Sequence, residues 1–204
     1  MPQTTVDVYV DYVCPFCLLV KPALDELARE RDVDIRIRPF ELRPDPVPTL
    51  RPEDEYLPRV WRDSVYPMAE RVGIPIRLPS VSPQPRTQKA FLVLQLADEA
   101  GLAAQYSNAM LRAFFQDDLD IGDERVITDV ATGIGLDEQS VLQAFSDPDR
   151  IRQHQADLAH AVETVGVTSV PGIVVGGTVL AGVPSATRLK QAVDAMQPSA
   201  DDRS

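Results

Sequence analysis

Two cysteines carry the chemistry of this chain, and they stand in the run Cys14-Pro15-Phe16-Cys17. A pair at this spacing can close into a disulfide and open again by thiol exchange, with the thiolate as the nucleophile. The residues before it decide how reactive it is. Val6 to Val13 alternates apolar and polar side chains as a strand does, and Cys17, Val20, Leu24, Leu27 and Ala28 then follow helical spacing. Cys14 therefore falls at or beside the first turn of a helix. Unpaired N–H groups and the positive end of the helix dipole favour a thiolate there. This placement predicts Cys14 as the more exposed, attacking sulfur and Cys17, one turn in, as the sulfur that closes the disulfide.

Other uses of the pair fit less well. A zinc site needs four ligands, and the remaining candidates, His154 and His160, lie six apart in one predicted helix and point in different directions. No metal is expected. A structural disulfide across so short a loop would stabilise little. The net charge of −11 argues against nucleic acid or an anionic membrane as partner. No stretch approaches the roughly 20 apolar residues of a membrane span. Met1-Pro2-Gln3 leads almost directly into the first strand, leaving no room for a signal peptide, so the expected location is cytoplasmic. Thiols are kept reduced there, and a lone cysteine pair is more often catalytic than structural.

The elements that must position the pair read as follows. Strand (about 5–12), helix (about 15–31, kinked by Pro22) and strand (about 33–39) form a parallel right-handed crossover. Five prolines between Pro39 and Pro52 make an extended connection. Helical periodicity then persists for about a hundred residues, with Pro58 and Pro67 starting or bending its first helix. Ile173-Val174-Val175 and Val179-Leu180 flank Gly176-Gly177-Thr178, a hairpin signal. A short helix from about 185 to 196 follows, and Pro198 onward reads as a tail. The fold class is α/β: a four-stranded mixed sheet with flanking helices (1–46 and 159–204) carrying an all-helical insertion (47–158).

A second candidate segment is Thr168-Ser169-Val170-Pro171-Gly172, just before the hairpin, where an X-Pro bond can be cis at modest cost. With it, Cys-Pro-Phe-Cys after a strand resembles the thioredoxin superfamily. The helical insertion resembles its DsbA-like branch, and specifically the FrnE-type oxidoreductases. Three further stretches are similar to that type: Arg38-Pro39-Phe40-Glu41-Leu42-Arg43-Pro44, Ala113-Phe114-Phe115 through Asp120-Ile121, and Ala181-Gly182-Val183-Pro184. The resemblance implies a thioredoxin-like core and a protein disulfide oxidoreductase with Cys14 as nucleophile and Cys17 as resolving thiol. It also implies that Pro171 is cis beside the pair, that Val170 offers backbone groups to an extended substrate, and that Pro15 and Phe16 tune the couple. Phe16 brings no charge or hydrogen bond, unlike the histidine of periplasmic DsbA, which implies a less oxidising couple.

The implied partners are disulfide- or thiol-containing proteins or small molecules, without a cofactor beyond the redox-active disulfide, and with glutathione as a candidate co-substrate. Two other functions fit the same fold: a glutathione-dependent isomerase or kappa-type glutathione transferase, which typically carries serine at the nucleophile position, and a chaperone-like binder of unfolded chains. One departure stands out. Many thioredoxin-like enzymes carry a buried acid six residues before the first cysteine, and here that place is Val8. Asp11, on the other strand face and nearer the motif, is a candidate to substitute for that acid through water, and the simpler expectation for it is a solvated acid at a strand end. Arg43, Trp61, Arg86 and Phe114 are candidates for the border of a cleft beside the insertion, Trp61 and Phe114 being better suited to the core.

Overall fold

The computed structural model describes residues 3–196. Strand β1 (Thr4–Val10) buries Val6, Val8 and Val10, the apolar half of its alternation. It ends earlier than the alternation predicts, because Asp11 to Val13 turn the chain into helix α1 (Pro15–Leu19). Helix α2 (Lys21–Glu30) continues from α1 after a break at Val20, with Pro22 in its first turn, where a missing N–H is harmless. Strand β2 (Val33–Pro39) returns parallel to β1, with Val6 opposite Ile35.

The chain comes back to the sheet as strands β3 (Gly172–Val175) and β4 (Thr178–Ala181). They are joined by Gly176 and Gly177 at φ of 56° and 79°, the left-handed backbone that a two-residue hairpin turn requires. β3 pairs antiparallel with β1, and the strand order is β2-β1-β3-β4. Helix α10 (Ala186–Asp194) packs on α2. This mixed four-stranded sheet with its helices is a thioredoxin-like fold. The residues after Met196, including the expected tail, lie outside the described residues.

Between β2 and β3 the chain is helical. Helix α3 (Tyr56–Val60), a π-helical turn (Trp61–Val65) and helix α4 (Tyr66–Val72) run on without a break. The π turn sits immediately before Pro67, which has no N–H to give, and the Tyr66 N–H reaches back five residues to the Trp61 carbonyl. Helices α5 (Gln88–Glu99) and α6 (Ala103–Phe115) form the centre of the insertion, followed by α7 (Glu124–Gly133), α8 (Glu138–Ala144) and α9 (Pro148–Ala159). Asp123, Asp137 and Asp147 cap the last three by accepting N–H groups of the first turn. One apolar core runs through sheet and insertion, and Phe91, Tyr106 and Phe114 are fully buried in it. Among the described residues no helix is long and apolar enough to cross a membrane.

Candidate active site

Cys14 is the residue that caps α1, in extended conformation with φ −96° and ψ 111°. Its own N–H donates to the Asp11 carbonyl at 3.0 Å, and its carbonyl accepts the Cys17 N–H at 3.1 Å. Pro15 fills the first helical position, where its fixed φ suits the helix. The sulfur of Cys14 therefore stands at the open end of α1. It donates to the Val170 carbonyl at 3.3 Å, a contact that spans 156 positions of sequence. The Val170–Pro171 peptide bond is cis, and both residues are buried. Phe16 and Pro15 are half-buried on the same turn.

Both cysteines are free thiols. The expectation that Cys14 is the exposed member is not met: Cys14 is 4% exposed and Cys17 3%. The β3 approach loop covers Cys14, since the Val170 carbonyl sits directly on its sulfur. Surroundings separate the two instead. Burial pushes the Cys17 thiol well above its ordinary range, and the neighbouring Cys14 sulfur and the Asp11 carboxylate push it the same way. Cys17 also lines a cavity of about 240 Å³ whose wall combines Val8, Ile35 and Leu111 with Lys21, Asp25 and Asn108.

Asp11 corrects a second expectation. It is 1% exposed, not a solvated acid at a strand end. The loop after β2 folds over it: the Leu42 N–H donates to Oδ2 at 2.8 Å and the Val13 N–H to Oδ1 at 3.4 Å. Burial raises its carboxyl from the ordinary 3.8 to about 6, with the Leu42 N–H, the Thr87 hydroxyl and the Val13 N–H pulling it back and the charge of Glu41 adding to the rise. Val8 lies in the apolar core at 0% exposure. The buried carboxylate next to the pair is thus three residues before Cys14.

The model of the DsbA-like thioredoxin domain matches residues 5–196 of this sequence. The chain belongs to the DsbA-like thioredoxin family. It is 38% identical to the Bacillus subtilis protein YwbO over 189 residues, covering 92% of this chain and 94% of that one. Its fold is similar to that of a probable DsbA oxidoreductase from Streptomyces coelicolor, with a TM-score of 0.78 at 24% identity over 95% of this chain and 89% of that one. It is similar also to the cytosolic disulfide reductase DsbM from Pseudomonas aeruginosa, with a TM-score of 0.69 at 17% identity over 93% and 94%.

The structure brings Cys14, Cys17 and Val170 together, with Pro171 alongside. Trp61 and Phe114, 1% and 0% exposed, belong to the core. Arg86 does line an open cavity of about 990 Å³ at the end of β2, and it donates to the Arg43 carbonyl at 2.8 Å. Two residues of that cavity wall escaped sequence reasoning. His154, fully buried, lies with Nε2 2.6 Å from Oε1 of Glu41, itself 8% exposed. Glu41 stands in a stretch quoted only for its resemblance, and His154 was weighed only as a metal ligand. The one local signal for Asp11 is the spacing that lets its carboxylate take the N–H two residues on, an Asx turn after a strand.

Proposed function

We propose that this chain is a FrnE-type thiol–disulfide oxidoreductase that works from the cytoplasm. Cys14 attacks, Cys17 resolves, and the cis Val170–Pro171 segment presents the substrate. One observation carries the reading: a free cysteine at the open end of a helix donates its S–H to the carbonyl before a buried proline, with a second free thiol one turn in.

In the reducing direction the Cys14 thiolate attacks one sulfur of a substrate disulfide. The Cys14–substrate bond forms, and the first substrate thiolate leaves and takes up a proton. Cys17 then loses its proton and attacks the Cys14 sulfur. The Cys14–Cys17 bond forms, the second substrate thiolate leaves, and the enzyme has been oxidised by two electrons. A thiol of the glutathione type, or a dithiol protein, returns the pair to the reduced form. The opposite direction uses the same bonds in reverse order. The Val170 carbonyl that now accepts from Cys14 would be released to an N–H of an extended substrate once the thiolate forms, a short piece of strand addition. Phe16, which offers no charge to the pair, favours a less oxidising couple than a histidine there would.

The test is asymmetric. Cys14→Ser should abolish turnover of a disulfide substrate. Cys17→Ser should retain the first attack and accumulate a mixed disulfide, seen as a mass adduct on Cys14. Equal loss in both variants, with no adduct on Cys17→Ser, would refute these roles. Sustained glutathione-dependent isomerase turnover by Cys17→Ser would favour the related isomerase fold-mates, of which 2-hydroxychromene-2-carboxylate isomerase is one, similar at a TM-score of 0.72.

A further inference from the structure

Alternate residues of β2, Val33, Ile35 and Ile37, share one face of the sheet. Helices α2 and α6 both rest on this strand. Each turns a stripe of helical spacing toward the gap between them, one running from Cys17 to Ala28 and the other from Ala104 to Leu111. The two stripes do not close over the strand. Ile35 and Ile37 stay half-buried, and the cavity of about 240 Å³ that Cys17 lines remains above them. Val33 to Ile37 spans about 13 Å of strand, and Ala104 to Leu111 about 10 Å of helix. Spread over that length, the volume leaves a cross-section of about 20 Å². The groove therefore has room for one extended hydrocarbon chain and not for two side by side.

The polar groups of the wall decide the rest of the ligand. At the exposed rim the Lys21 ammonium donates to the Asp25 carboxylate, so the two charges cancel. At the buried end Cys17 and Ser107, each 3% exposed, line the groove, and both face Tyr12. The Tyr12 hydroxyl is fully buried and has no hydrogen-bond partner. A polar group brought in beside Ser107 would relieve it. We propose that this groove binds one small molecule with a single unbranched hydrocarbon chain and an uncharged hydroxyl head, a medium-chain alcohol in class. The hydroxyl turns toward Ser107 and Tyr12, and the chain lies along Ile35 and Ile37.

The bound molecule packs against the Cys17 sulfur and shields it from the groove side. A carboxylate head is disfavoured, because Lys21 is already paired and Asp25 stands beside it. An ammonium head is disfavoured at the buried end, where Ser107 and Cys17 supply no compensating charge. The ligand is a free molecule rather than a bilayer: the groove is one chain wide, its rim carries Asp25, and the chain has a net charge of −11. Binding does not depend on the thiol-exchange reading; where that reading holds, the bound chain restrains the resolving thiol.

The experiment titrates the reduced protein with 1-octanol and follows the methyl NMR signals of Ile35 and Ile37. Saturable shifts with a Kd of about 0.1–1 mM are expected for a ligand of this size. From 1-hexanol to 1-octanol the affinity should rise roughly fourfold per methylene, and the gain should stop by 1-decanol, once the chain outgrows the groove. Octanoate and octylammonium should bind at least about tenfold more weakly. Ala104→Phe, at an exposed position on the α6 wall, should fill the groove and weaken binding at least about tenfold. Ala28→Phe, exposed on the α2 wall, makes the same test should the first variant fail to fold. In Cys14→Ser, where Cys17 is the remaining thiol, saturating 1-octanol should slow alkylation of Cys17 by iodoacetamide several-fold. No saturable shift, an affinity that climbs unchecked through 1-decanol, or equal binding by the charged analogues would overturn the proposal. So would binding that survives the Phe substitutions, or a Cys17 alkylation rate indifferent to the alcohol. Thiol exchange fails on a different result, the absence of an adduct on Cys14 in Cys17→Ser, so the two failures are separable.

Discussion

Replacing Asp11 by asparagine should make the protein more stable at neutral pH, and the structure says by how much. The carboxyl is fully buried, and its pKa stands at about 6 against the ordinary 3.8. At about 1.4 kcal/mol per pH unit, that rise corresponds to roughly 3 kcal/mol of penalty for the ionised form. The sign follows from proton counts. Between about pH 4 and pH 6 the native state holds the Asp11 proton and the unfolded chain has lost it. Stability therefore falls as pH rises through that window and is fully reduced above it. Asparagine removes the charge while its amide oxygen can still accept the Leu42 N–H that Oδ2 takes at 2.8 Å. The variant should match the wild type near pH 4 and exceed it by up to about 3 kcal/mol near pH 7, or roughly 6–12 °C in Tm for a chain of this size.

Urea unfolding of both reduced proteins at several pH values measures this directly. The single tryptophan, Trp61, is 1% exposed and will report the transition by fluorescence. Carboxylates remote from Asp11 titrate equally in both proteins and cancel in the difference. A difference that stays constant from about pH 4 to pH 7 would refute the reasoning, because it would mean that Asp11 keeps its ordinary acidity when folded. A difference growing in the opposite sense would mean that hydrogen bonds to the carboxylate outweigh its burial.

Two further substitutions probe how the site is supported. Gly172→Ala, in the residue after Pro171, would place a Cβ 3.1 Å from the Ser169 carbonyl and 3.1 Å from the Val167 side chain. It should cost about 1–3 kcal/mol in urea unfolding and slow the reaction of the reduced protein with an aryl disulfide; unchanged stability and rate would show that the loop yields freely. Phe91→Ala deletes the ring between Tyr12 and His154 and should cost about 3–5 kcal/mol. A loss under about 1 kcal/mol would mean that the neighbouring rings close over the gap.

What the sequence made legible was local. The cysteine pair, the alternation in β1, the parallel crossover and the Gly176-Gly177 turn are each set by residues within a few positions of one another. The kink near Pro22 and the π turn before Pro67 follow likewise from the proline itself. The missing pieces are all long-range. Asp11 looks solvated until Leu42, 31 positions later, lies down over it. Glu41 and His154 are 113 positions apart, and nothing in either neighbourhood announces the other. Cys14 looks exposed until the Val170 loop, 156 positions on, covers its sulfur. Burial of a polar group is a property of what comes back to cover it, and a single sequence carries no record of that.

The nearly equal burial of the two cysteines bears on how the reaction is ordered. If exposure distinguished attacker from resolver, 4% against 3% would leave the order of steps undecided. Surroundings distinguish them instead. Cys14 caps the first turn of α1 and donates its S–H to the Val170 carbonyl at 3.3 Å. Burial holds the proton on Cys17, and the Cys14 sulfur and the Asp11 charge act in the same direction. This difference supports the proposal that Cys14 takes the first step. In the proposed exchange Cys17 must lose its proton before it can attack, and burial opposes that loss. The burial that raises the Asp11 carboxyl raises the Cys17 thiol as well, and the Asp11 charge adds to the latter. Asp11→Asn should therefore stabilise the fold and bring the Cys17 thiol down together, read as its alkylation rate against pH; an unmoved Cys17 profile would refute the link.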